Sequence, residues 1–150
     1  FDQVIEQSLV LDLEGSAPAE EFFGKAAEAL APRLGIGPGK LRQALVEREK
    51  TSSTVLAPGL AIPHIVIEGE GTFAILLARS REGMRFAEAP SPVHAAFVLV
   101  GTREERNFHL RALAAIAQIA SDPAFMDRWL AARDEQALRD LVLLGKRRRS

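Results

Sequence analysis

His64 is the residue whose type and setting most directly suggest chemistry. It is one of three histidines in the chain and follows Pro63 within the stretch LAPGLAIPHIVIEGEG, residues 56–71. The proline fixes its own φ and restricts Ile62 to extended conformations, so the imidazole is presented from a stiff backbone. A neutral imidazole has a ring nitrogen that can act as a nucleophile. From the residues alone, His64 fits either a packed, hydrogen-bonded position beside a strand or an acceptor of a transferred group.

A phosphoryl group on His64 would need neighbours that stabilise its negative charge. Suitable neighbours are a guanidinium, hydroxyl groups, or the N–H groups at the start of a helix. Arg48 stands at the end of a predicted helix, just before a loop with four hydroxyl residues in succession. Within that loop, Ser53 and Thr54 are candidates for contact with phosphate. His109 lies near the start of the helical segment HLRALAAIA and is a further candidate.

The position of His109 depends on which residue caps its helix. Thr102 with Glu105 has the spacing of a capping box, which would place His109 in the second turn. Asn107 as the cap would place His109 in the first turn, where amide hydrogens point outward. His109 also fits an exposed helix position.

Arg48 likewise has a second interpretation. Glu47 and Glu49 flank it in the sequence, so Arg48 also fits an exposed partner of either carboxylate, which would contribute little to stability.

Other chemistries are excluded by the absence of their motifs. The loop GIGPGK is not a phosphate-binding P-loop, because Leu34 replaces the required first glycine and Leu41 the magnesium-binding Ser or Thr. We interpret it as a connection between two helices. No GxSxG or HExxH motif occurs, and the chain has no cysteine. The residues alone leave open a zinc site assembled from distant parts of the chain, although no motif indicates one.

Composition limits the class of protein. The 150 residues are 47% hydrophobic with a formal net charge of −1, which predicts one domain over residues 1–150 and argues against nucleic-acid binding. No uninterrupted apolar run reaches the ~18 residues of a membrane span. The chain opens with Phe1, so we expect a segment of a longer polypeptide. The basic end GKRRRS fits a solvated tail, a tether near an anionic membrane or a linker to another domain.

Periodicity predicts helices at both ends of the chain and strands in the middle. A short helix or turn leads into a strand at LVLDL. Helices follow from Pro18 to Leu34 and from Pro38 to Lys50. The segments TFAILLARS (72–80) and PVHAAFVLV (92–100) are apolar throughout, which is typical of strands buried on both faces. GEG marks a turn between strands, and GMRF a short edge strand.

The last third is predicted to form three helices. An apolar stripe from Leu110 to Ala120 predicts the first, Pro123 begins the second, and DEQALRDLVLLG forms the third. Helices, strands and helices in this order predict an α/β protein with three layers, α/β/α, and a central mixed β-sheet flanked by helices. His94 belongs to a strand without a functional role, and Trp129 to the packing of the C-terminal helices.

The pattern RE-x(3)-ST-x(4)-GLAIPH, from Arg48 to His64, followed by HLRALAAIA, resembles the enzyme IIA domains of the phosphoenolpyruvate-dependent sugar phosphotransferase system. The resemblance is to the fructose–mannitol type, which includes the nitrogen-regulatory IIA proteins, and extends over nearly the whole chain. It implies that His64 accepts a phosphoryl group from the phosphocarrier protein HPr, that Arg48 and His109 stabilise the added charge, and that a IIB domain or a regulatory target receives the group. The resemblance also implies that no metal or organic cofactor takes part in the transfer.

The chain also departs from that family. After His64 it continues with IVIEGEG, apolar and then acidic, and Glu68 and Glu70 would repel an acidic partner if they faced the site. The C-terminal half is similar to IIA-like domains fused to membrane transporters, such as cation–proton antiporters and amino-acid permeases. The alternative function is therefore a regulatory or docking module with little phosphotransfer. We expect a cytoplasmic protein, free or at the inner face of the membrane within a larger transporter, without membrane insertion of its own.

Overall fold

The computed structural model describes residues 2–87 and 89–145. The basic end GKRRRS, apart from Gly145, lies outside the described residues. Within the described residues, no helix combines the length and the apolar character needed to cross a membrane.

The described chain alternates helices and strands. The helices are α1 (Asp2–Glu6), α2 (Ala19–Leu34), α3 (Pro38–Thr51), α4 (Arg106–Ala120), α5 (Phe125–Ala131) and α6 (Glu135–Leu143). The strands are β1 (Leu9–Leu13), β2 (Ala17–Pro18), β3 (Val55–Ala57), β4 (Leu60–Ala61), β5 (His64–Ile67), β6 (Phe73–Arg85) and β7 (Val93–Thr102). A 3₁₀ turn (Arg103–Glu105) precedes α4.

These strands form one mixed sheet, as predicted. Its order is β1-β6-β7-β4-β3, with β2 beside β6 and β5 beside β7. The central pair β6 and β7 is antiparallel, whereas β1 and β2 run parallel to β6, and β4 and β5 run parallel to β7. In the described part of the chain β5 pairs with β7 alone, so it forms an edge of the sheet.

Helices cover both faces of the sheet and confirm the three-layer prediction. Alternate residues of the central strands face opposite layers. Leu76 and Val98 belong to the apolar cluster under α2 and α3, whereas Leu77 and Phe97 belong to the cluster under α4, α5 and α6. Burial on both faces explains why these strands are apolar throughout. Trp129 packs in the second cluster, as predicted.

The helix boundaries follow local signals closely at the N-terminal end. Gly35 ends α2 with a positive φ of 66° and its N–H bonds to the Ala31 carbonyl, which is the common left-handed helix stop. Pro38 occupies the first position of α3, where the missing N–H costs nothing. The loop GIGPGK therefore connects two helices, as predicted.

Several predicted details are wrong. Pro18 precedes α2 rather than beginning it, and α5 begins at Phe125 rather than Pro123. GMRF is not a separate edge strand, because β6 continues through it after a register shift between Arg79 and Met84.

The predicted apolar stripe of α4 is also displaced. Leu110 is 52% exposed, and the buried face is formed by His109, Ala112, Ile116 and Ile119. Because several alanines follow Leu110, two neighbouring faces of the helix have a similar apolar character in the sequence.

Candidate functional site

His64 is the first residue of β5 and lies at the sheet edge. The residue two positions further along this strand, Val66, is 61% exposed, whereas Ile65 is buried in the cluster under α2 and α3. Because side chains alternate along a strand, His64 points away from that cluster, and its ring is only half-buried. A partner molecule can therefore reach the imidazole.

Two neighbours determine where the proton of a neutral His64 ring resides. Nδ1 lies 2.7 Å from the Ile62 carbonyl oxygen, which can only accept a hydrogen bond. Nε2 lies 3.4 Å from Nη2 of Arg48, which can only donate. Both contacts favour the tautomer with the proton on Nδ1. The lone pair of Nε2 is therefore available for bond formation.

Arg48 reaches His64 from the last turn of α3. Its Nη1 donates to the carbonyl oxygen of Ser52 at 3.0 Å and to the Ser52 hydroxyl at 3.1 Å. The guanidinium is thus held on one side by the loop and directed on the other toward Nε2. An anionic group on Nε2 would lie beside a fixed positive charge, which is the arrangement that stabilises phosphate oxygens.

His109 approaches the same ring from α4, on the other side of β5. The two imidazole centroids are 5.4 Å apart, and the Phe73 ring packs edge-to-face against His109 with its centroid 5.8 Å from that of the imidazole. His109 is only 8% exposed. Burial, with a smaller contribution from the neighbouring His64, lowers the pKa of His109 below its ordinary value. His109 is therefore neutral near pH 7 while the site holds no anion.

Neither of the two predicted residues caps the helix that carries His109. Helix α4 begins at Arg106 after the 3₁₀ turn, so Asn107 lies inside the helix. The hydroxyl of Thr102 donates to Glu104 at 2.8 Å instead of forming a capping box with Glu105. His109 is nevertheless the fourth residue of the helix, in its first turn. It lies on the buried face rather than the exposed one, because the sheet edge packs against this turn.

The run of four hydroxyl residues, Thr51 to Thr54, is held by a contact with Glu49 that the sequence does not indicate. Thr54 is buried, and Glu49 accepts hydrogen bonds from its hydroxyl at 2.6 Å and from its N–H at 3.0 Å. Ser53 is exposed, and its hydroxyl accepts from the N–H of Val55 at 3.1 Å. Contact of Ser53 or Thr54 with phosphate stays a prediction.

Sequence reasoning did not name three contributors to the site. The Ile62 carbonyl is a backbone group, which residue identity does not reveal. Ser52 belongs to the run of hydroxyl residues and Glu49 to the Arg-Glu pair of the family pattern, but neither signal indicates their contacts with Arg48 and Thr54. His94 lies in β7, as predicted, where Nδ1 is 2.9 Å from the carbonyl oxygen of Ser80.

The described residues contain no cluster of three or more His, Asp or Glu side chains suited to a metal ion. The chemistry that this arrangement supports on its own residues is the transfer of an anionic group to and from Nε2 of His64. The imidazole of His64 is half-buried, and one cation and one neutral imidazole lie beside it.

Sequence comparison extends this finding. The family described as "Phosphoenolpyruvate-dependent sugar phosphotransferase system, EIIA 2" matches residues 3–144. The nitrogen regulatory protein of Bradyrhizobium diazoefficiens is 30% identical over 126 residues, which cover 83% of this chain and 80% of that protein. The fructose-specific EIIABC component of Bacillus subtilis is 29% identical over 102 residues, 67% of this chain. The matched region spans only 16% of that longer protein.

Structural comparison gives the same fold. The nitrogen regulatory protein IIA-Ntr of Neisseria meningitidis superposes with a TM-score of 0.84 at 25% identity, covering 94% of this chain and 97% of that one. The mannitol enzyme IIA of Escherichia coli, solved in complex with phosphorylated enzyme IIB, superposes with a TM-score of 0.71 at 19% identity. That alignment covers 89% of this chain and 92% of the other.

Proposed function

Since this chain belongs to the EIIA 2 family of the phosphoenolpyruvate-dependent sugar phosphotransferase system, we propose that it is a phosphohistidine carrier whose acceptor is Nε2 of His64. The observation that carries the proposal is the pair of contacts on the His64 ring. The Ile62 carbonyl oxygen accepts a hydrogen bond from Nδ1–H, and the Arg48 guanidinium faces Nε2.

The proposed transfer exchanges one N–P bond for another. The Nε2 lone pair attacks the phosphorus of a donor phosphohistidine, and the donor's N–P bond breaks with its electron pair returning to the donor imidazole. Nδ1 of His64 keeps its proton, and the Ile62 carbonyl stabilises the positive charge that the ring gains. Because both partners are phosphohistidines, the free-energy change is small and the group can be passed on.

Arg48 and His109 have complementary parts in this proposal. Arg48 is charged throughout, so it stabilises the phosphoryl oxygens during transfer and afterwards. His109 is neutral before transfer, and the arriving negative charge favours its protonation. A second cation would thus form only when the phosphoryl group is present. The site would then stabilise phosphohistidine without adding so much fixed charge that release becomes slow.

The proposed donor is an HPr-like phosphocarrier, and the proposed recipient is a IIB domain. The mannitol enzyme IIA of Escherichia coli forms a complex with phosphorylated IIB, and the Bacillus subtilis relative is named as a fused EIIABC component. These names support the proposed partners for a chain that belongs to the same family. A membrane transporter into which the domain is fused would place it at the inner face of the membrane.

The alternative is a regulatory module, for which the nitrogen regulatory relatives are the supporting observation. The Bradyrhizobium protein is matched over 80% of its length, so most of that protein corresponds to this chain. In that function the domain would bind a transporter or another regulatory target, and His64 would be phosphorylated slowly or not at all.

Labelling tests the proposed chemistry directly. The chain is incubated with phosphoenolpyruvate, enzyme I and HPr, and intact mass and acid lability of the product are measured. We expect one acid-labile phosphate per chain, which is absent in His64→Ala and present in the control His94→Ala. No labelling with a competent HPr from the same cell would overturn the carrier and favour the regulatory module. Transfer from the labelled chain to a IIB domain then distinguishes sugar transport from regulation.

A further inference from the structure

Glu49 closes the loop that follows α3. Its Oε1 accepts from the Thr54 hydroxyl at 2.6 Å and its Oε2 from the Thr54 N–H at 3.0 Å. Thr54 is 7% exposed, so these hydrogen bonds are largely shielded from water. Both carboxylate oxygens are occupied by the same residue, which leaves Glu49 unsuited to act as a base on a substrate. The loop is fixed to the helix that carries Arg48.

Thr54 in turn positions the backbone before His64. Its carbonyl oxygen accepts from the N–H of Ile62 at 2.9 Å. The Ile62 carbonyl oxygen then lies 2.7 Å from Nδ1 of His64. Pro63, between these two residues, has a fixed φ and limits how the backbone can adjust. A continuous series of short contacts therefore runs from the Glu49 carboxylate to the imidazole.

The end of this series decides which ring nitrogen can react. As long as the Ile62 carbonyl stays in place, Nδ1 has an acceptor for its proton and Nε2 keeps its lone pair. If the carbonyl moves, the proton can reside on Nε2, which must then lose it before attacking phosphorus. The position of one backbone carbonyl thus controls the reactive fraction of the ring.

We propose that Glu49 is a positioning residue of the site: through Thr54 and Ile62, its carboxylate holds His64 in the Nδ1–H tautomer with Nε2 facing Arg48. This inference rests on the proposed function, because it assigns Glu49 a part in phosphoryl transfer to Nε2. It goes beyond that function in naming a residue that touches neither the phosphoryl group nor His64. Such a residue acts on the rate only through the geometry it maintains.

The test compares Glu49→Ala and Thr54→Val with Glu47→Gln as the matched control. Glu47 lies exposed on the same helix, and its side chain contacts Gln43 at 3.3 Å. The first measurement is the ¹⁵N–¹H spectrum of the His64 ring in the unphosphorylated, folded chain. We expect Nδ1–H in the parent and control, and a mixture of tautomers in the two site variants. The second measurement is the rate of labelling from phosphorylated HPr.

For the labelling rate we expect a loss of about tenfold to a hundredfold in Glu49→Ala, as is typical when a reacting group is slightly misplaced. Thr54→Val keeps the N–H contact but loses the hydroxyl, so a smaller loss is expected. Glu49→Gln, which can still accept one of the two hydrogen bonds, should recover part of the rate. Circular dichroism and melting curves establish that each variant compared is folded.

Two results would overturn the inference. The first is a parent His64 with its proton on Nε2. The second is a folded Glu49→Ala or Thr54→Val whose tautomer and labelling rate equal those of the parent. If Glu49→Ala does not fold, Thr54→Val provides the same comparison. The spectrum needs no phosphoryl donor. If the parent is never labelled, the carrier function fails, while the tautomer measurement still decides whether Glu49 positions His64.

Discussion

At the scale of single residues, Arg48 and His109 differ in how their charge is held. Arg48 is a cation held by Ser52, whereas His109 is a buried imidazole with a lowered pKa. In the proposed function, Arg48 provides constant stabilisation of the phosphoryl group, and His109 becomes charged when that group arrives. The two can be separated experimentally, because only the second depends on pH in the neutral range.

Replacing Arg48 tests the constant part. We expect Arg48→Ala to stay folded and to lower the labelling rate of His64 about a hundredfold, the typical cost of losing one preorganised donor. Initial rates with phosphorylated HPr measure the effect. Lys50→Ala provides the control, because Lys50 is exposed near the end of the same helix. If Arg48→Ala is labelled at the same rate as the parent, Arg48 has no part in the transfer and is only a surface residue.

Replacing His109 tests the pH-dependent part. Because burial lowers the pKa of His109 in the folded chain, the unfolded chain binds a proton first as the pH falls. Its contribution to stability is therefore complete above the unfolded pKa of about 6.5 and is lost as the pH falls through the lower folded value. Urea unfolding between neutral and mildly acidic pH measures this change. In His109→Gln we expect the free energy of unfolding to change less with pH than in the parent. An equal change in the two proteins would contradict the prediction.

At the scale of elements, an ion pair between the buried Arg79 and the partly exposed Asp12 joins β1, β6 and the end of α5. Arg79 has no exposed surface, and its Nε and Nη2 bind the two carboxylate oxygens of Asp12 at 2.9 and 2.6 Å. Its Nη1 donates to the carbonyl oxygens of Trp129 and Ala132 at 2.9 and 2.6 Å. The guanidinium thus satisfies carbonyl groups at the end of a helix while Asp12 balances its charge.

Removing Asp12 should destabilise the protein substantially. Asp12→Ala leaves the Arg79 guanidinium buried without its counter-ion, for which we expect a loss of about 3 kcal/mol in the free energy of unfolding. Denaturant unfolding at pH 7 measures it, with Glu14→Ala, an exposed position just after β1, as the control. A loss below about 0.5 kcal/mol, the range of ordinary surface changes, would show that water replaces the carboxylate.

The same pair adds a pH dependence of defined sign. The hydrogen bonds from Arg79, with its charge as a further cause, lower the pKa of Asp12. Its contribution to stability is therefore present above the unfolded pKa of about 3.9 and is lost as the pH falls through the lower folded value. This window lies below that of His109, so the two contributions can be separated in one titration.

At the scale of the whole molecule, the central strands belong to two apolar clusters at once. Phe97 packs against Trp129 with ring centroids 5.4 Å apart, on the face under α4, α5 and α6. Val98, the next residue of β7, lies in the opposite cluster. If either layer of helices separated from the sheet, it would expose the apolar residues on its own face of these strands. The same strands are covered on their other face by the second layer.

This arrangement predicts cooperative unfolding. Phe97→Ala should lower the free energy of unfolding by about 3 to 5 kcal/mol, because a large buried ring is lost. Trp129 is the only tryptophan in the chain, so its fluorescence reports on one face, while far-ultraviolet circular dichroism reports on all helices. We expect coincident transitions in the parent and in the variant. Transitions that separate in urea would show that the layers unfold independently.

The sequence by itself determined most helices and strands and the residues whose side chains can carry out chemistry. Pro38 and Gly35 mark helix ends through the local backbone limits of proline and glycine. Uninterrupted apolar runs mark strands covered on both sides, and their order along the chain implies the layers. His64, Arg48 and His109 stood out because their side chains can hold or stabilise a transferred anion. All of these signals act over a few residues.

Only the tertiary structure decided which groups meet. Asp12 and Arg79 are separated by 67 positions, and neither differs in type from an exposed charge. The tautomer of His64 depends on a backbone carbonyl, for which residue identity carries no information. The burial of His109 depends on which face of α4 meets the sheet edge, a choice between faces of similar composition. Such contacts arise from packing across the whole chain, so no local pattern encodes them.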